Sequence, residues 1–221
     1  MAVKAVIFDL DNCLAPPDGA GREFYEPALQ AIRDANRGWL GEEALERAIE
    51  DCWRFPLDRV AELYGFSDEM LSAAWEASGK IEVSGEISGY PDLHILQEFE
   101  VPIFLVTSGF RRLQESKVRA LGIGDWFAGI GIDAIDEPGR IGKEGHFRQI
   151  LEAWKFDPKE VMVVGDSESS EIAAGNRLGI PTVQTLRPGI RRSELAWRHI
   201  HSLKELSELI AADKIRDAAS D

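Results

Sequence analysis

Thiols are scarce in this chain. Cys13 and Cys52 are its only cysteines, and no C-x-x-C spacing occurs among its 221 residues. This argues against a disulfide-stapled scaffold and a thiolate zinc site, and it fits a reducing compartment, so a cytoplasmic location is expected. Long apolar runs are missing too. The opening stretch, Val-Lys-Ala-Val-Ile-Phe at 3–8, is stopped by Asp9. It is too short for a secretion signal or a membrane span, and no later stretch approaches a spanning length. Basic charge is in deficit: 25 Lys and Arg face 39 Asp and Glu, a net charge of −14. A surface this acidic repels nucleic acid and anionic lipid, so neither is expected as a partner. A small anionic ligand stays open, because cations local to a cleft outweigh a distant negative field. Internal repeats and low-complexity tracts are also absent. What is present, 44% hydrophobic and 29% charged, is ordinary for a globular chain able to bury a real core. The length suits one large domain or a domain with an insertion.

The pattern along the chain divides in three. A short apolar strand runs into Asp9-Leu10-Asp11-Asn12-Cys13-Leu14. Residues 16–88 then read as helices only. Phe24, Ala28, Ile32 and Ala35 recur at helical spacing, as do Leu45, Ala48, Ile49, Cys52 and Trp53, and again Met70, Leu71, Ala74 and Trp75. Gly38 to Gly41 separates the first two helices, Pro56 fits the first turn of a third that ends near Gly65, and Ser67 caps a fourth. This segment holds 16 acidic and 7 basic residues, and with them most of the net charge. Residues 79–89 read as a linker. From Pro91 the pattern alternates: a helix at 91–99, a strand at 102–106, a helix to Leu121, a strand at 129–134 and a helix at 144–154. A strand at 161–164, a helix to Gly179, a strand at 181–184 and a final helix at 203–212 before a polar tail complete it. Such alternation predicts an α/β fold, a doubly wound parallel sheet of Rossmann-like type. Its core would comprise 1–15 and 89–221, with the helical segment 16–88 inserted.

Four groups fall at predicted strand tips or helix starts: Asp9 with Asp11, Thr107-Ser108-Gly109, Lys143, and Gly165-Asp166-Ser167-Glu168-Ser169-Ser170-Glu171. In a doubly wound sheet such tips converge on one crevice. Two carboxylates one residue apart can hold a hard cation such as Mg²⁺, and one of them can attack an electrophile. Each group alone has a plainer reading, as an N-cap, a turn or a solvated lysine. Their joint occurrence in this order does not.

These motifs, F-D-L-D at 8–11, V-T-S-G at 106–109, Lys143 and V-G-D-S-E-S-S-E at 164–171, resemble those of the haloacid dehalogenase superfamily, in its phosphatase branch with a helical cap. The stretch A-G-N-R-L-G-I-P-T-V within 161–187 is similar to family sequence throughout, and 16–88 falls where the family inserts its cap. The resemblance implies Mg²⁺-dependent hydrolysis of a small phosphomonoester. Asp9 would be the nucleophile, forming an aspartyl-phosphate. Asp11 would protonate the leaving oxygen and then activate water. Thr107, with the Ser108 and Gly109 amides, would hold the phosphoryl oxygens, and Lys143 would neutralise charge developing on them. Asp9, Asp166 and the Asp11 carbonyl would bind Mg²⁺, with Glu171 supporting the metal's water or Lys143. Cys13 stands where the family usually has Thr or Val, and is expected to serve in packing or in support behind the site residues. Glu171 stands where Asp is commoner, and Lys143 lacks the family's following proline while Arg140 lies nearby. The expected partner is a small phosphorylated metabolite, of phosphoglycolate or nucleotide type, acted on by a monomer or homodimer. Two alternatives stay open. One is a 2-haloacid dehalogenase, against which the presence of both Asp11 and Asp166 speaks. The other is a non-catalytic member that binds a phospho-ligand, against which the intact Asp9, Asp11 and Asp166 speak.

Other candidates read more plainly. His199 and His201 could share a strand face but lack a third metal ligand nearby, and His94 and His146 read as helix residues. Trp39, Trp53 and Trp75 read as core of the helical segment. The turn Trp53-Arg54-Phe55-Pro56 is the one inter-helix turn with both a cation and aromatics.

Overall fold

The computed structural model describes residues 3–218. Six strands, β1 (Ala5–Phe8), β2 (Ile103–Gly109), β3 (Gly129–Ala134), β4 (Val161–Gly165), β5 (Thr182–Thr185) and β6 (Arg198–Ile200), form one sheet in the order β3-β2-β1-β4-β5-β6. Every pairing is parallel. Both faces are covered, so the central strands carry unbroken apolar runs. Alternation along β1 sends Val6 and Phe8 to one face and Ala5 and Ile7 to the other. The first face packs with Leu105, Met162, Val164 and Leu206, the second with Phe104, Val163, Phe147 and Leu151. Chain order reverses between β1 and β4, and in a sheet of this kind that reversal is where a crevice is expected outside the C-terminal strand ends.

The helical segment forms α1 (Glu26–Asn36), α2 (Glu42–Asp51), α3 (Leu57–Tyr64) and α4 (Asp68–Ser78). Ser67 caps α4 as its sequence predicts, its hydroxyl accepting from the Met70 N–H. These helices bury a cluster of their own around Ile32, Ile49 and Met70, which also takes in Phe110 and Leu113. The last two belong to the start of α5 (Arg111–Leu121), whose Val118 packs instead in the sheet's cluster. Helix α5 therefore lies between the two parts. Helices α6 (Gly142–Trp154), α7 (Ala173–Leu178) and α8 (Leu203–Ala218) complete the layers.

Three expectations need correction. The helix at 91–99 is a shorter 3-10 turn, Leu93–Glu98. The strand expected to carry both His199 and His201 ends at Ile200, and His199 meets the Ser193 carbonyl at 2.7 Å. The polar tail expected after 212 is helical to Ala218; its remainder, 219–221, lies outside the described residues, as do residues 1–2.

The chain leaves and re-enters the sheet domain at adjacent points, where the Tyr90 N–H donates to the Leu14 carbonyl at 2.9 Å. Arg187 laces both crossings to the core. Its guanidinium donates to the Cys13 carbonyl at 2.9 Å, pairs with Asp92 at 2.9 Å and lies 4.2 Å from the centroid of the Tyr90 ring. Asp92 in turn accepts from the Leu203 N–H at 2.7 Å. Removing one member of a buried pair strands the other. Arg187→Met should therefore cost about 3–5 kcal/mol of unfolding free energy. Urea unfolding checks this, and a loss below about 1 kcal/mol, the scale of an exposed pair, would show that the crossings hold without it.

Candidate active site

Strand β1 delivers Asp9 to the crevice, where its N–H donates to the Val164 carbonyl at 2.9 Å. The chain then turns sharply. The amides of Leu14 and Ala15 return to the Leu10 carbonyl at 2.8 and 3.1 Å. Asn12 takes a left-handed backbone, φ 55°, which asparagine tolerates better than most residues. Cys13 is fully buried beneath this turn, its thiol 3.6 Å from the Val164 carbonyl, consistent with the packing role expected of it.

Asp9 meets Asp166 and Glu171 there, one oxygen from each lying within 4.8 Å of the others. Lys143, near the start of α6, places its ammonium 2.6 Å from Asp9 and 2.8 Å from Glu171. Glu171 is set by a π-helical turn, Glu168–Ile172, and also accepts from the Ser167 N–H. Gly165 is required by this approach, because a Cβ there would run into the Glu171 side chain. Burial pushes the Asp9 carboxyl up to about 7 against the pull of Lys143. Burial and then the neighbouring Glu171 and Asp9 push Asp166 up to about 8. Burial also works against the Lys143 ammonium, but Asp9 and Glu171 outweigh it and hold it above its usual range. Asp9 and Glu171 thus share one cation, with the Asp166 carboxyl beside them.

Asp11 faces elsewhere. Its carboxylate is gripped by Lys117 of α5, at 2.8 and 3.0 Å, and approached by Gln114 at 3.4 Å. Gln114 also accepts from the Thr107 hydroxyl at 3.3 Å and donates to the Ser108 carbonyl at 3.3 Å. Gly109, at φ 150°, leaves room for that amide where a Cβ would collide with it. The Ser108 hydroxyl donates to Asp133 at 3.1 Å. Asp133, on β3, also accepts from the Gly142 N–H at 3.0 Å and pairs with Arg140 at 2.8 Å. Arg140 reaches Asp58 of α3 at 2.7 Å. It is therefore occupied away from Asp9, and the lysine beside Asp9 is Lys143. All the sequence-predicted residues, Asp9, Asp11, Thr107, Ser108, Gly109, Lys143, Asp166 and Glu171, come to this end of the sheet.

Sequence reading missed Gln114, Lys117 and Asp133. A signal for the first two existed. They share the inward stripe of α5 with Leu113 and Val118, at three- and four-residue spacing. Above Asp11 the helical segment contributes Tyr25, whose ring centroid lies 5.6 Å from the Lys117 ammonium. Tyr25 packs edge-on against Trp53 at 4.9 Å, and Arg22 lies 4.7 Å from the Trp53 centroid. Trp53 and Trp75 pack against the segment's core as expected, but Trp39 does not. It is 65% exposed, tethered through its indole N–H to the Gly65 carbonyl at 2.8 Å.

A family model described as haloacid dehalogenase-like hydrolase matches residues 3–179. A glyceraldehyde 3-phosphate phosphatase from Methanopyrus kandleri is 29% identical over 202 residues, 84% of each chain. Among solved structures, a phosphatase from Thermococcus onnurineus shares 22% identity, with a TM-score of 0.63, over 94% of this chain and 98% of that one. The magnesium-bound hydrolase YfnB of Bacillus subtilis shares 16%, with a TM-score of 0.63, over 95% and 99%. At these identities the two structures bear on the fold alone. Among the described residues, no helix is long and apolar enough to cross a membrane.

Proposed function

The chain belongs to the haloacid dehalogenase-like hydrolases, and from that premise we propose that it hydrolyses a small phosphomonoester through an aspartyl-phosphate on Asp9. The observation that carries the reading is the separation of the two motif carboxylates. Asp9 sits in an acidic nest with Lys143, while Asp11, two residues on, is held apart on Lys117. Phosphoryl transfer needs those two roles in different places: an in-line nucleophile and a proton donor on the leaving side. The phosphatase named among the relatives supports the same chemistry.

In this mechanism an Asp9 oxygen attacks phosphorus, and the ester P–O bond breaks. The departing oxygen takes a proton from Asp11. Asp11 then accepts a proton from the water that hydrolyses the acyl phosphate, which restores the Asp9 carboxylate and the Asp11 acid and releases inorganic phosphate. Thr107 with the Ser108 and Gly109 amides holds the phosphoryl oxygens, and Lys143 balances their charge. A hard divalent cation fits the nest. The donors are all oxygen, and burial holds the Asp9 and Asp166 carboxyls above their usual range, a cost that a bound cation would offset. Asp9, Asp166 and the Asp11 carbonyl would hold Mg²⁺, with Glu171 beside it, and the ion would supply further neutralisation of phosphoryl charge. The helical segment 16–88 would act as a cap that excludes water and selects the leaving group, Tyr25 and the Arg140–Asp58 pair marking where it meets the core. A small phosphorylated metabolite, rather than a polymer or a membrane, suits a crevice of this kind on so acidic a chain.

Phosphate release from phenyl phosphate tests the reading. It should require Mg²⁺, vanish in EDTA, and return poorly with Ca²⁺, which prefers larger and less regular oxygen shells. Full activity in EDTA with halide release from a 2-haloacid would replace it with the dehalogenase reading. Binding of phosphorylated metabolites without turnover would replace it with a regulatory one.

A further inference from the structure

We propose that Lys117 is a positioning residue: it fixes the Asp11 carboxyl beneath Tyr25 so that the Asp11 proton lies on the leaving-group side of the site. This rests on the reading of Asp11 as the proton donor given above.

Lysine is among the residues least often buried, yet only 7% of the Lys117 side chain is exposed. It stands on the inward stripe of α5, between the helical segment and the sheet. Both Asp11 oxygens lie within 3.0 Å of its ammonium, and Asp11 is its one carboxylate partner among the described residues. The grip on the ionised carboxyl is therefore two-oxygen, which fixes its plane and place; once Asp11 takes up its proton, the ammonium keeps one oxygen and the O–H on the other is left for the leaving group. Asp11 needs such a hold. It is two residues from Asp9 and takes no part in the Asp9, Asp166 and Glu171 nest, where a fourth carboxylate would add repulsion. Gln114, one helical turn before Lys117, steadies the same carboxyl and ties it to the Thr107 hydroxyl, so donor and phosphoryl-binding strand share one support. The Tyr25 ring centroid lies 5.6 Å from the same ammonium. A donor held in advance by packed neighbours needs no reorganisation as the ester bond breaks.

The test is the dependence of kcat/KM on leaving group, measured with Mg²⁺ on substituted phenyl phosphates. This ratio reports transfer to Asp9, whichever later step limits kcat. Help from a general acid matters most when the departing oxygen is basic. In Lys117→Met, phenyl phosphate should lose about 30- to 100-fold, the scale of a misplaced catalytic group, while 4-nitrophenyl phosphate loses about threefold or less. The leaving-group slope steepens accordingly. In an Asp11→Asn background the same substitution should cost nothing further, since Lys117 would act only through Asp11. An equal loss across the series would assign Lys117 a purely structural role and overturn the proposal. A further loss in the Asp11→Asn background would place it on the substrate and overturn it as well. Should Lys117→Met fail to fold, the comparison of Asp11→Asn with the double variant decides, because the double variant removes both charges together. The underlying reading fails separately: Asp11→Asn with an unchanged slope would remove Asp11 as donor, whereas a steep slope there with a flat response in Lys117→Met sinks the inference alone.

Discussion

Asp9→Asn is expected to abolish phosphate release, by roughly four to six orders of magnitude, the scale seen when a covalent nucleophile is removed. The amide cannot form the acyl phosphate, and it offers a weaker ligand to a cation. The fold should survive. The change is isosteric, and Lys143 keeps Glu171 at 2.8 Å. Removing a carboxyl that burial already pushes up to about 7 also relieves repulsion with Asp166 and Glu171. Steady-state release and trapping of labelled phosphate on the denatured protein form the paired measurement. The wild type should retain label and the variant none. Near-normal turnover in a purified, folded Asp9→Asn would end the covalent mechanism.

Lys143→Met should be nearly as damaging and should harm the fold as well. It leaves Asp9 and Glu171 buried, with no other cation recorded on either among the described residues. Breaking a buried ion pair from one side typically costs about 3–5 kcal/mol, because the remaining charge stays desolvated. Activity should fall by at least about 10²- to 10³-fold, as when one fixed electrostatic donor is lost. Saturating Mg²⁺ should return part of the stability, since it binds the folded state and supplies positive charge, without returning the rate. Urea unfolding with and without Mg²⁺, beside kcat, separates the two effects. A variant as stable as wild type in EDTA would show that the acidic nest does not depend on the lysine.

The sheet was legible because its strands are short, apolar and cut off by charge. Val-Ile-Phe ending in Asp9, and Val-Met-Val-Val ending in Gly165-Asp166, announce both the strand and the crevice at its tip. The order of strands was not legible in detail, since pairing is a matter of tertiary contacts. Lys143 could be assigned only through family pattern. In a loop rich in Gly and charge, Arg140 is an equal candidate until Asp133 and Asp58 are seen to occupy it. Gln114, Lys117 and Asp133 were hidden for a common reason. Each is a polar residue whose role is set by what it faces across the fold, and the inward stripe of α5 marks Gln114 and Lys117 as buried without saying what they meet, while nothing marks Asp133. The 3-10 turn Leu93–Glu98 was read as a helix because six residues do not separate a period of 3.0 from 3.6. Polarity after 212 suggests an end to the last helix, yet it continues, because Ala, Lys and Arg are good helix formers. Helical spacing points Trp39 to the core, but it lies in the Gly38–Gly41 break, and its indole finds a partner at the surface.

The hydrogen bond from Tyr90 to Leu14 has a consequence for how such a protein can diversify. To the sheet, everything between those residues is a loop whose ends already touch. Closing a loop costs only about 0.6 kcal/mol more for each doubling of its length, so the sheet tolerates different lengths there, provided that what is threaded still covers Phe110 and Leu113. A segment of another size or ancestry could be spliced in at that gap while Arg187, Asp92 and the strand tips stay as they are. Inheritance would then run at two speeds: slow in the sheet and its strand tips, faster in the segment threaded between Leu14 and Tyr90.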